Sequence, residues 1–82
     1  MDIRSVVLQQ LKATVDDFTP VAFPSEVDDA MRLNDFMLDS VAYTSLLIGL
    51  EGALGFIPMK ILQGIAFPET IGELITAYEV ND

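Results

Sequence analysis

The sequence predicts an all-α fold: a small helical bundle of three main helices plus one short helix, with a long loop between the first two. Three observations lead there. Apolar residues recur with a 3.6-residue period at three places, no strand-like alternation lasts beyond a few residues, and helix-start and helix-stop residues bracket the periodic runs. The chain has 82 residues, read as a single domain over 1–82. A domain this small buries only about 60% of the surface its unfolded chain exposes, so its core is thin.

The first periodic run is Ile3, Val6, Val7, Leu11 and Val15, which predicts a helix over residues 3–16 with Asp2 at the positive end of its dipole. Residues 17–38 follow, long for a structureless connection in a compact domain; "SEVDDAMRL" within them is expected to form a short helix capped by Ser25. The second helix is predicted from Ser40 to Leu54. Tyr43, Leu47, Leu50 and Leu54 form its inward face, widened by Val41, Leu46, Ile48 and Ala53. Asp39 is its N-cap and Gly55 its stop. "MKILQGIAF" has room for one or two turns, with Leu62 and Ile65 inward. The last helix runs from Ile71 to Val80 on Ile71, Leu74, Ile75 and Tyr78. Thr70 and Glu73 of "TIGE" make a capping box, with Pro68 just before it.

Composition removes several function classes. Acids outnumber bases 13 to 4, for a net charge of −9, the opposite of a nucleic-acid footprint and repelled by an anionic membrane. Proteins with basic patches are the partners such a surface steers in. The N-terminus carries no signal-peptide pattern. The longest apolar stretch is broken by Glu51, glycines and Pro58, so no membrane span and a cytoplasmic location are expected. The absence of histidine and cysteine removes the usual general base and the thiolate chemistry. Ser5, Ser25, Ser40 and Ser45 thus have no imidazole to activate them, and Lys12 and Lys60 are the only lysines for a Ser–Lys pair. No catalytic residue is assigned and no enzyme is expected. Asp16–Asp17 and Asp28–Asp29 lack calcium-loop spacing and read as solvated acids, so no metal site is expected. The five glycines, scattered through residues 49–72, build no phosphate loop.

Ser40 remains. If Asp39 caps the second helix, Ser40 stands exposed in its first turn, beside free amide donors and the positive dipole end that suit a phosphate. Simple helix capping is the competing reading of the same residue.

The ordered set around this serine, "LDSVAYTSLLIGLEGALGFIP", resembles the attachment motif of the acyl carrier and peptidyl carrier protein family. That motif has an acidic or polar residue, a serine and an aliphatic residue at the head of an amphipathic helix, then Leu-Glu, then Ile-Pro. Here these are Asp39, Ser40, Val41, Leu50–Glu51 and Ile57–Pro58. "LNDFMLDS" resembles the family's approach to the serine, Leu62 and Ile65 its short third helix, and "ETIGELITAY" its last helix, so the similarity covers almost the whole chain. The resemblance implies a non-catalytic carrier. Ser40 would receive 4′-phosphopantetheine from coenzyme A through a phosphopantetheinyl transferase, and the arm's thiol would hold an acyl or aminoacyl group as a thioester. The further partners implied are a loading enzyme (an adenylating enzyme or acyltransferase) and a downstream synthase or acyltransferase.

The chain departs from the family pattern at three places. Met37 stands where the family often has glycine, and Leu38 follows it. The exposed face after the serine is read as Ala42, Ser45, Gly49 and Gly52, with Glu51 the only acid of the helix; fatty-acid carriers place several acids there. Met59–Lys60 follows Ile-Pro where acids are common, with Lys60 either near the arm's phosphate or solvated. Met37, Leu38, Val41, Ile48 and Met59 are therefore the expected partner contacts, although Val41 also suits packing on the short helix and Ile48 the core. The start at Met1 and the end soon after the last helix are those expected of a free-standing, monomeric carrier. The "GF" before Ile-Pro resembles polyketide and nonribosomal peptide carriers more than fatty-acid ones. The alternative is an acidic helical interaction module in which Ser40 only caps the helix.

Overall fold

The computed structural model describes residues 2–64 and 68–80. It is a small all-α bundle: α1 is Ile3–Phe18, α2 Ser40–Leu54, α3 Met59–Leu62 and α4 Ile71–Val80, with a 3-10 helix at Leu33–Phe36 late in the long loop. Among the described residues the only β-pairing is an isolated bridge between Arg32 and Thr70. Val7, Leu11 and Val15 of α1 pack with Leu46 and Leu50 of α2, with Ile71, Leu74, Ile75 and Tyr78 of α4, and with Leu33, Phe36 and Ile61.

α1 runs two residues beyond the predicted end. Thr19 stops it in extended backbone, and its N–H and hydroxyl both donate to the Val15 carbonyl at 3.0 Å. The following Pro20 disfavours helical backbone at Thr19. At the other end the Asp2 carboxylate accepts from the Ser5 hydroxyl at 2.7 Å rather than from a backbone amide. Thr14 is buried on the apolar stripe, where its hydroxyl donates to the Gln10 carbonyl at 2.9 Å and so is not left unpaired.

The long loop corrects one expectation. "SEVDDAMRL" is not helical from Ser25; its only regular structure begins at Leu33, in the 3-10 helix. The reason lies in where the backbone groups go. Asp28 makes a turn, accepting from the Ala30 amide at 2.8 Å with its side chain and from the Met31 amide at 2.9 Å with its carbonyl. The next carbonyls serve α4. An α-helix leaves its first four amides without intrahelical partners. In α4 the Ile71 amide donates to the Met31 carbonyl at 3.0 Å and the Gly72 amide to the Asp29 carbonyl at 2.9 Å. The Glu73 amide donates to the Thr70 hydroxyl at 3.1 Å, as the capping box requires, and the Leu74 amide to the Thr70 carbonyl at 3.1 Å. The Glu73 carboxylate closes the box on the Thr70 hydroxyl at 3.3 Å rather than on its amide. Gly72 is needed for this fit, because a Cβ there would lie 3.0 Å from Asp29 Cβ and 3.1 Å from its carbonyl oxygen. Phe23 stacking on Phe36, with ring centroids 5.4 Å apart, holds the middle of the loop. Arg4 ties it to α1 through Asp29 at 2.6 Å, so Asp29 is an ion-paired residue and not a merely solvated one.

α2 is rotated relative to the expected face. Its fully buried residues are Ala42, Leu46 and Leu50; Tyr43, Leu47 and Leu54 are half-buried at the edge of the core. Ala42, placed by sequence on the exposed face, is interior. Gly49 faces α1, where a Cβ would meet the end of the Gln10 side chain at 2.6 Å. In α3 the inward residue is Ile61, whereas Leu62 is exposed. Leu62 lies one helical step, about 100°, from Ile61 and falls on the outer side of this short turn. The expectation for Ile65 lies outside the described residues.

Candidate functional site

Ser40 is the first residue of α2. Asp39 precedes it in extended backbone (φ −82°, ψ −177°), and its carboxylate accepts from the Ala42 amide at 2.8 Å. This N-cap satisfies one first-turn donor and leaves the Ser40 and Val41 amides without intrahelical acceptors. At the far end Gly55 takes left-handed backbone (φ 89°) and donates to the Glu51 carbonyl at 2.7 Å. The Ser40 side chain is exposed, and its hydroxyl has no hydrogen-bond partner among the described residues. The capping falls to Asp39, and the serine oxygen stays accessible.

Two depressions meet at Ser40. One, of about 420 Å³, runs down α2 and is lined by Ser40, Val41, Thr44, Ser45 and Ile48. It carries no charged side chain. Val41 and Ile48, for which burial was a competing reading, are 66% and 61% exposed. The other, of about 250 Å³, lies between the start of α2 and the 3-10 helix, with Leu33, Leu38, Asp39, Ser40, Tyr43 and Pro68 in its walls. A third groove, of about 480 Å³, lies between α3 and α4 beyond Pro68; Lys60 lines it, Ser40 does not. The structure therefore brings Leu38, Asp39, Ser40, Val41 and Ile48 together around the serine. Met37 and Met59 are exposed but line neither depression.

Leu33, Tyr43 and Pro68 are wall residues that the sequence reading did not assign to the site. The 3-10 helix and the Arg32–Thr70 bridge bring Leu33 and Pro68 in, and neither leaves a local signal. Burial pushes the Tyr43 phenol up to about 12. Tyr78 is raised further, first by burial and then by Tyr43 and Glu51. Its hydroxyl is fully buried with no hydrogen-bond partner among the described residues, while its ring packs on Phe56 with centroids 5.5 Å apart.

Two chemical properties follow from this arrangement. The serine oxygen is reachable, and it stands beside two free amides at the positive end of a helix, a setting that accommodates a phosphate ester. The Asp39 charge opposes an anion there and favours a basic surface on whatever approaches. Among the described residues no three acidic side chains converge on a point where they could hold a metal ion. No helix among them is long and apolar enough to cross a membrane. No protein-family model, curated protein or solved structure matches this chain, so the likeness to carrier proteins rests on its own residues.

Proposed function

We propose that the protein is an acyl or aminoacyl carrier whose Ser40 takes a 4′-phosphopantetheine arm. The observation that carries this reading is the division of labour at the head of α2: Asp39 does the capping, and Ser40, inside the attachment-like motif, keeps an exposed hydroxyl without a partner. The residues present fit the group. The Ser40 and Val41 amides lack intrahelical acceptors at the N-terminus of α2, a setting that suits a phosphate ester. The adjoining hollow offers the arm Leu33, Leu38 and Pro68 beside the polar Asn34 and Asp39. When bound, the arm supplies a thiol that holds the cargo as a thioester.

Attachment needs no base from this chain. Ser40 Oγ gives its proton to a base on the transferase and forms a phosphodiester bond. The phosphorus–oxygen bond inside the pyrophosphate of coenzyme A breaks, and adenosine 3′,5′-bisphosphate leaves. The uncharged groove of Val41, Thr44, Ser45 and Ile48 is the surface on which partners dock, with Leu38 and Met59 as further apolar contacts. The cargo class is that of polyketide or nonribosomal peptide assembly, and the loading and acceptor enzymes are those of such a pathway.

Incubation with coenzyme A and a promiscuous phosphopantetheinyl transferase, followed by intact-mass measurement, tests the reading. One phosphopantetheine adduct is expected on the wild type and none on Ser40→Ala. An unmodified wild type beside a working positive control would overturn the carrier reading. The exposed Val41–Ile48 surface would then favour an acidic interaction module.

A further inference from the structure

Met37 stands out among the exposed apolar residues because two independent features fail to explain it. Its backbone is left-handed (φ 58°, ψ 36°), and it is the only non-glycine residue with positive φ among those described. An unbranched L-residue is disfavoured there and glycine is not. The side chain does not repay this strain by packing: it is 62% exposed and lies outside the core, whereas its neighbour Leu38 packs against it. The turn itself would form with glycine, since the only bond made by Met37 there is its backbone amide donating to the Asn34 carbonyl at 3.1 Å. A strained position held by a side chain with no internal role is a pointer to function.

Position narrows that function. Three residue steps separate Met37 from Ser40, a span of at most about 11 Å. Met37 lines neither the groove on α2 nor the hollow at Ser40, so a partner that docks on that groove and works at the end of a long arm can bind without covering it. An enzyme whose reacting atom is Ser40 Oγ works within that short span of it. Acids flank the side chain in sequence at Asp35 and Asp39, and both are exposed. An exposed apolar side chain with an exposed acid two residues away on either side suits an apolar pocket with basic groups nearby.

We infer that Met37 is a docking residue for the transferase that modifies Ser40, seated in an apolar pocket with a basic rim on that enzyme. This rests on the carrier reading above. Met37 makes no contact with the reacting atoms; it secures the encounter, so its loss raises KM and leaves kcat nearly unchanged.

The test measures transferase kinetics with coenzyme A on the wild type, Met37→Gly, Met37→Asn and Met37→Leu, alongside their melting temperatures. Glycine and asparagine both accept left-handed backbone, so these two variants keep the fold and melt no lower than the wild type by more than a few degrees. Their kcat/KM is expected to fall about tenfold through KM, the loss of one well-placed apolar anchor. Met37→Leu, equally strained but still apolar, retains most of the wild-type value. Equal kcat/KM for wild type and Met37→Gly would overturn the docking role while leaving the carrier reading intact. A fall in kcat at constant KM would overturn it as well. An unmodified wild type would overturn both.

Discussion

At the scale of single residues, the two tyrosines determine how the protein responds to alkali. Each phenol is harder to ionise in the folded state than the ordinary value near 10, because burial disfavours its charged form. In the unfolded chain both ionise near pH 10. Above that pH the unfolded state therefore binds fewer protons than the folded one, and stability falls as pH rises. Thermal melts should show this fall from about pH 10 to about 12, where Tyr43 itself ionises in the fold. Each phenol contributes at most roughly 1.4 kcal/mol per pH unit. Tyr43→Phe should make the alkaline slope shallower, and an unchanged slope would show that its hydroxyl is not held away from water. The residue scale is also where the sequence spoke most clearly. Asp39, Gly55, Thr70 and Glu73 act near the helix ends where their chemistry placed them, because each capping interaction lies within a few residues.

At the scale of elements, legibility depends on how mixed each helix is. α1 and α4 alternate polar and apolar residues at helical spacing, and their inward faces follow from the pattern. α2 is apolar on almost every side, so its period leaves the rotation open. Leu46 is fully buried where Leu47 was the expected core residue. Leu46→Ala should cost about 2–5 kcal/mol in a denaturant melt, the range for emptying a buried leucine site, and Leu47→Ala clearly less. Equal losses would place both side chains equally deep. The exposed side of α2 was harder to read still. Val41 and Ile48 look like core residues by type, yet both are exposed and line the groove beside Ser40. The hollow at Ser40 was not legible at all beyond Leu38, Asp39 and Ser40. Besides Tyr43 of α2, its other walls come from the 3-10 helix and from Pro68, segments distant in sequence that the Arg32–Thr70 bridge joins.

At the scale of the whole molecule, a chain of net charge −9 carries beside Ser40 an exposed groove with no charged side chain in its lining. The acids sit mainly on the long loop and the C-terminal third, where Arg4 holds the Asp29 carboxyl below its usual range and Arg32 reaches Glu69 at 3.5 Å. If the groove is the docking surface proposed above, long-range attraction and close contact fall to different parts of the surface, the first sensitive to salt and the second not. The long loop has a consequence of its own. First-turn amides of a helix ordinarily exchange with solvent as soon as the end frays, but those of Ile71 and Gly72 are bonded to the Met31 and Asp29 carbonyls. They should exchange with deuterium only when the loop lifts away, at rates matching the Leu33 amide, which donates back to the Glu69 carbonyl at 2.9 Å. Independent rates at these positions would show that loop and helix open separately. Matching rates would make a segment without regular structure and the start of the last helix a single cooperative unit, so that a cut in the one releases the other.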